Sequence, residues 1–268
     1  MINNIVTVVF SYNRPLQLDL LLSSLKKRCL DYDKMDVKVL YRADESFKKS
    51  YNQCYEESDN VLFVKEDNFQ DNFHQMFKDY EYILFLTDDS IIINDFSIVD
   101  ILDLLKQNKE LLGFSLRLGR NLDYCYSLSK DQVLPVHSLN NDIMTWEWMK
   151  GEYDWGYPLE VSSSVYRVPT IEKIHYSCSY INPRFLEYFL HTHSKMFQAS
   201  HPLMACYKNS SAFSAPVNTV GDAENKKGSQ EKYTVDNLLK IYEEGARINP
   251  DKFSHYFPKS VHEEVEIL

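Results

Sequence analysis

A chain of 268 residues is long enough to bury a full core, and 44% hydrophobic with 25% charged residues is the composition of an ordinary globular protein. Its 29 basic against 39 acidic residues give −10 with no dense Lys/Arg block, a surface that repels a phosphate backbone and argues against a nucleic-acid partner. Of only 7 glycines the first is Gly113, so the first half has neither the glycine-rich turn of a dinucleotide-binding Rossmann fold nor a P-loop.

The pattern along the chain opens with a β-branched run over 5–11, read as a buried strand. Tyr12-Asn13-Arg14-Pro15 then starts a helix, with Asn13 as the expected cap, Pro15 near the first helical position, and Leu18, Leu21, Leu22 and Leu25 at helical spacing. The unit recurs with a strand over 37–41 and a helix presenting Phe47, Tyr51, Cys54 and Tyr55. It recurs again with a strand over 61–64 and a helix whose Phe69, Phe73, Met76, Phe77 and Tyr80 form a core stripe.

A fourth strand over 82–86 runs into Thr87, Asp88 and Asp89 and is followed at once by a second apolar triplet. Adjacent carboxylates where a buried strand surfaces repel each other and lose hydration unless a cation or hydrogen-bond donors offset them. A hard divalent ion held by one or two carboxylates, with water and phosphate oxygens completing its shell, is one solution; an exposed Asp-Asp turn is the other. A helix using Ile98, Ile101, Leu102 and Leu105 and a strand over 112–118 complete an α/β pattern with a largely parallel sheet. Ligands in such sheets gather at the carboxyl ends of the strands, which puts residues 11–14, 42–44, 65–68 and 87–90 on one rim.

From about residue 119 the texture changes. Trp146 and Trp148 share a face and read as core, whereas Trp155, between Asp154 and Gly156, reads as a platform for a sugar ring. A strand-like run follows over 161–168, then a helix over 183–197 with His191, His193 and His201 near its end, read as exposed histidines rather than metal ligands. One more short strand is expected over 215–220. A polar loop over 221–232 holding Lys226 and Lys227 comes next, then a last helix stopping near Gly245, with Phe253, Tyr256 and Phe257 tying down the tail. Five scattered cysteines fit reduced thiols. No apolar run reaches the ~18 residues of a spanning helix, and no signal-peptide pattern opens the chain, so a cytoplasmic protein is expected, with peripheral attachment to the inner membrane face compatible with it.

With these residues assembled, positions 1–118 resemble the nucleotide-sugar-binding half of the GT-A glycosyltransferases, particularly family-2-like enzymes. The motifs that carry the resemblance are Val8-Val-Phe-Ser-Tyr-Asn-Arg-Pro15 and Leu86-Thr-Asp-Asp89, the latter similar to their DxD metal motif in its Thr-Asp-Asp form. The resemblance implies a GT-A type sheet flanked by helices, with an acceptor-binding half over 119–268 in one continuous domain. It implies that Ser11, Tyr12, Arg14 and Asp44 hold the base and ribose of a UDP- or GDP-linked sugar, that Asp88 meets the ribose or sugar, and that Asp89 holds Mn²⁺ or Mg²⁺ against the diphosphate. Many relatives carry Asp-Asp-Gly-Ser after the second strand where this chain has Arg42-Ala-Asp44-Glu45-Ser46, which weakens the assignment of Asp44.

An inverting transfer to a glycan or lipid-linked acceptor, as in polysaccharide or glycoconjugate biosynthesis, needs a general base near the acceptor hydroxyl. Asp154 and Glu160, each beside aromatics, are the catalytic candidates, with Asp142 a poorer third; an ordinary surface charge is the alternative for each. Lys226 and Lys227 could close over the diphosphate or simply be solvated. Two other functions share the pattern: a nucleotidylyltransferase, which wants a glycine-rich first turn absent here, and a non-catalytic carbohydrate-binding protein on the same fold.

Overall fold

A computed structural model of the protein describes residues 4–220 and 231–268. The amino-terminal half alternates β1 (Ile5–Tyr12), α1 (Pro15–Arg28), β2 (Asp36–Arg42), α2 (Lys48–Glu57), β3 (Val61–Lys65), α3 (Phe69–Phe77), β4 (Tyr82–Thr87), β5 (Ser90–Ile92), α4 (Ile98–Gln107) and β6 (Leu111–Ser115). The second half adds β7 (Tyr124–Cys125), β8 (Lys130–Asp131), β9 (His137–Asn140), β10 (Ile143–Glu147), β11 (Ser163–Arg167), α5 (Val168–His175), α6 (Pro183–His193), β12 (Leu203–Tyr207), β13 (Ala212–Ser214) and α7 (Val235–Glu243).

Nine strands form one sheet in the order β3-β2-β1-β4-β11-β6-β12-β10-β9. The pairings β3–β2–β1–β4 and β6–β12 are parallel, and only β11 and β10 run against the rest, so the largely parallel α/β sheet expected from the sequence is present. Strands from the second half join the same sheet as β1 to β4. Alternation along β1 explains how the sheet is covered on both faces. Ile5 and Val9 pack with α1, α2, α4 and α7, while Val6, Val8 and Phe10 meet α3, α5 and α6 through Phe73, Ile171 and Leu186.

Several local expectations are corrected. Asn13 does not cap α1: it adopts φ 54°, Arg14 takes the capping position without a side-chain bond, and Pro15 opens the helix. Residues 215–220 form no strand: Val217 N–H turns back to the Ala215 carbonyl at 2.8 Å, and the pairing to β5 is made one segment earlier by β13. Trp155 is 1% exposed and sits edge-on to Trp146 at 5.1 Å, so it is core rather than an open platform; the indole of Trp146 donates to its carbonyl at 3.0 Å. Phe253 is buried and Tyr256 packs on Phe213, as expected of the tail, but Phe257 is exposed. The helix over 183–197 is α6 followed by a 3₁₀ turn. Lys226 and Lys227, with most of the expected loop, lie outside the described residues.

Candidate active site

The parallel strands β1, β2 and β4 end together, and their exits carry the polar residues that the apolar strand bodies exclude. Register fixes the geometry: Phe10 lies beside Thr87 and Ser11 beside Tyr41, so the first residues past each strand meet on one rim. Asp88 is 4% exposed, and its carboxylate is saturated. Oδ2 accepts from the Ser11 hydroxyl and the Tyr12 backbone N–H, both at 3.0 Å, and Oδ1 accepts from Arg14 Nη1 at 3.0 Å. Burial pushes the Asp88 carboxyl up and Arg14 pulls it down, with a net rise to which neighbouring Asp89 contributes.

Arg14 is the hub of this rim. Nε donates to Asn218 Oδ1 at 2.9 Å, Nη2 donates to the Asn218 carbonyl, and Nη1 also stands 3.6 Å from Asp89. Asn218 is itself fixed by donating to the Tyr233 carbonyl at 2.8 Å. Burial works against the guanidinium charge, but Asp88 and Asp89 more than offset it and raise its pKa. Tyr51 closes the floor, its hydroxyl 2.6 Å from Ser11 Oγ and accepting from Arg14 N–H at 3.2 Å.

At the exit of β2, Asp44 is exposed yet oriented. Asn13 donates to its carboxylate at 2.7 Å and accepts from its backbone N–H at 2.9 Å, an exchange that explains the left-handed backbone of Asn13. The Tyr12 hydroxyl donates to both Asp44 oxygens at 3.3 Å, and the Arg42 guanidinium lies 4.8 Å from the centre of the Tyr12 ring.

Asp89 differs from Asp88 in having capacity left. Its side chain is 19% exposed, Oδ1 accepts from Thr87 at 2.8 Å, and its carbonyl accepts from Ala215 N–H at 2.8 Å. Among the described residues no group of three or more His, Cys, Asp or Glu side chains is set to hold a metal ion. A part-exposed carboxylate with capacity left has the chemistry of a ligand to a cation that phosphate and water would complete. Arg14, Asp88 and Asp89 together leave one unbalanced negative charge, and the enclosed Nδ1 of His262, whose ring senses Arg117 and Asp89, has no hydrogen-bond partner among the described residues.

A hydrogen bond also links the rim to a second carboxylate cluster: Ser90, next to Asp89, donates to the Ser162 carbonyl at 2.9 Å. Glu160 is 2% exposed, and both of its oxygens are engaged. Oε2 accepts from Ser162 N–H at 2.5 Å, Ser162 Oγ at 2.6 Å and Ser163 N–H at 3.2 Å; Oε1 accepts from Ser164 Oγ and lies 3.6 Å from Arg117 Nε. Burial alone would raise this carboxyl, but Arg117 and the serine donors bring it below its usual value.

Asp154 is 9% exposed and accepts from Gln132 at 3.0 Å. Both Asp154 and Glu160 bear electrostatically on Arg117 and His262, so the structure brings the two carboxylates together with the neighbourhood of Asp89. The same cluster holds Glu187 of α6, half-buried and electrostatically coupled to Arg117 and Glu160; burial pushes it up to about 7. Above it, Tyr157 stacks on His191 at 3.9 Å. Asp142 stands apart, its carbonyl accepting from Lys208 N–H at 2.6 Å beside β9 and β10.

Tyr51, Arg117, Glu187, Asn218 and His262 were not singled out by sequence. Arg117 had a signal, an arginine inside the otherwise apolar run over 111–118. Tyr51 was read only as core, although a buried tyrosine carries a hydroxyl that needs a partner.

TarS 1–349 of S. aureus, solved in complex with UDP-GlcNAc, superposes with a TM-score of 0.51 over 93% of this chain and 69% of its own, at 12% identity. The fold is that of the GT-A glycosyltransferases. In sequence, the chain is 30% identical over 90 residues to the bifunctional glycosyltransferase pgtA of Dictyostelium discoideum, a match to 30% of this chain and 12% of that protein. This chain also spans only 41% of a longer TarS chain. No family model matches.

Proposed function

We propose that the protein is a metal-dependent glycosyltransferase that moves a sugar from a nucleotide diphosphate donor to a hydroxyl of a glycan or lipid-linked acceptor, with inversion. The observation that carries this reading is the convergence of Ser11, Tyr12, Arg14, Asp88 and Asp89 on one rim, joined by the Ser90 to Ser162 bond to a second carboxylate cluster. TarS, which shares the fold, has been solved with UDP-GlcNAc, and pgtA, similar to this chain over 90 residues, is a bifunctional glycosyltransferase.

In this reading the Tyr12 ring and the Asp44 carboxylate receive the base and ribose, Asp44 being the acceptor for a base N–H. Asp88 acts through Arg14 and Ser11, fixing both rather than touching the sugar. Asp89, with His262, would hold the cation. A bound Mn²⁺ or Mg²⁺ supplies several kcal/mol of stabilisation to the departing diphosphate. Asp154 accepts the proton of the acceptor hydroxyl as its oxygen bonds the anomeric carbon and the bond from that carbon to the diphosphate oxygen breaks. Glu160, surrounded by donors, is a weak proton acceptor and positions Arg117 and the Ser162 to Ser164 segment instead.

A screen of nucleotide sugars for Mn²⁺-dependent hydrolysis and thermal shift tests the proposal. Release of nucleoside diphosphate from one donor class supports it. Nucleotide binding without turnover of any donor in the presence of acceptor extracts would favour a carbohydrate-binding role, and pyrophosphate release from a nucleoside triphosphate and sugar phosphate would favour a nucleotidylyltransferase.

A further inference from the structure

Residues 173–209 carry four basic side chains (Lys173, Arg184, Lys195 and Lys208) and a single acidic one, Glu187, in a chain whose net charge is −10. The one acid of this stretch turns inward toward Arg117. What remains outward is cationic, with His193 exposed beside it.

The same stretch exposes apolar side chains in a pattern. Leu186 and Leu190 bury one face of α6 completely, while Phe185 and Tyr188 on the other are 46% and 57% exposed, and Ile181, two residues before the helix starts, is 74% exposed. The three-residue spacing of Phe185 and Tyr188 places them on one stripe of α6, continued by Thr192, with Arg184 beside it on the helix and Lys195 in the turn that follows. Met196, in the turn after α6, is 46% exposed. Isolated exposed apolar residues are ordinary, but a pair of exposed aromatics on one helix face, with Ile181 exposed at its start and cations beside it, on a strongly acidic protein is not.

We infer that the outer face of α6 docks on an anionic lipid surface, with Ile181, Phe185 and Tyr188 entering the headgroup region and Arg184 and Lys195 pairing with lipid phosphates. Charge decides the occupant. The net charge of the chain is repelled by an anionic bilayer while the cations of this face are attracted to it, and that asymmetry orients the protein. Aromatic and aliphatic side chains at the interface add burial that screening by salt does not remove. Since Glu187 and His191 of the same helix reach Glu160 and Tyr157, docking would place the second carboxylate cluster one helix thickness from the lipid headgroups. The inference stands on charge and exposure and does not depend on the proposed reaction.

The test is co-sedimentation of the full chain with vesicles of phosphatidylcholine alone and of phosphatidylcholine with 30% phosphatidylserine, with circular dichroism confirming that each variant is folded. Wild type should bind the anionic vesicles at least about tenfold more tightly than the neutral ones. Arg184→Glu with Lys195→Glu should remove that preference, and Phe185→Ser with Tyr188→Ser should weaken binding while leaving the preference for anionic lipid. No binding to either vesicle, equal binding to both, or unchanged binding by folded variants overturns the inference. So does concentration-dependent dimerisation lost in Phe185→Ser with Tyr188→Ser without vesicle binding, which would give the face to a second copy of the chain.

Discussion

The two carboxylate clusters of the rim balance charge in different ways. Around Arg14, one guanidinium meets Asp88 and Asp89; Asp88 is spent on Arg14, Ser11 and Tyr12, and the residual charge is left on the part-exposed Asp89. Around Arg117, one guanidinium faces Asp154, Glu160 and Glu187. Glu160 takes the donors and is held ionised, and the excess is relieved by Glu187, which keeps its proton up to about pH 7. The first arrangement leaves an anion for a cation to bind; the second stores a proton near neutrality. That contrast suits a site in which one side neutralises a leaving diphosphate and the other handles the proton of an acceptor.

Substitutions can break the contrast at graded cost. Asp154→Asn should lower turnover by about 10²–10⁴-fold with donor affinity unchanged, measured by steady-state kinetics beside equilibrium donor binding; near-wild-type turnover would move the base elsewhere. Arg14→Met strands the buried Asp88 charge and should cost roughly 3–5 kcal/mol in denaturant unfolding. An equal cost from replacing an exposed arginine such as Arg42 would deny Arg14 its special place.

Glu160→Gln should cost less, about 1–3 kcal/mol, because the serine donors partly tolerate an amide. Its pH signature has a definite sign. The folded pKa of Glu160 is lowered, so its stabilisation is present above the unfolded value of ~4.3 and is lost as pH falls through the lower folded value. The variant should therefore lose less stability on acidification than wild type.

Glu187→Gln should have the smallest effect and the opposite sign. A carboxyl raised to about 7 contributes stability below its unfolded value that disappears as pH rises through 7. The variant should flatten the fall in melting temperature between roughly pH 4.5 and 7, a window set by the ordinary glutamate value and the shifted one. A profile parallel to wild type would separate Glu187 from the cluster.

The contrast also explains what could be read from sequence. The Arg14 rim is built at the exits of neighbouring parallel strands, so apolar, β-branched runs ending in polar turns place Ser11, Tyr12, Arg14, Asp44, Asp88 and Asp89 on one rim from sequence alone. The Arg117 cluster is assembled from β6, the turn before β11, α6 and the tail, elements distant in sequence and joined by the antiparallel insertion of β11 between β4 and β6. Nothing local marks His262 or Glu187, whose neighbours read as ordinary tail and helix surface. Asn218 was hidden for a related reason: residues 215–220 look like a strand, yet they run unpaired across the rim, and the side chain and carbonyl of Asn218 both serve Arg14. Trp155 was misread because its Asp and Gly neighbours suggested an exposed turn, whereas the turn folds its indole under Trp146.

The most direct measurement is calorimetric titration of UDP and GDP into the wild-type protein and Asp89→Ala, each with and without Mn²⁺. One nucleotide should bind the wild type at least about tenfold more tightly with Mn²⁺, and the variant should lose that gain while keeping its fold. Affinity that ignores Mn²⁺ in the wild type, or a gain that survives in Asp89→Ala, would contradict a cation held at Asp89.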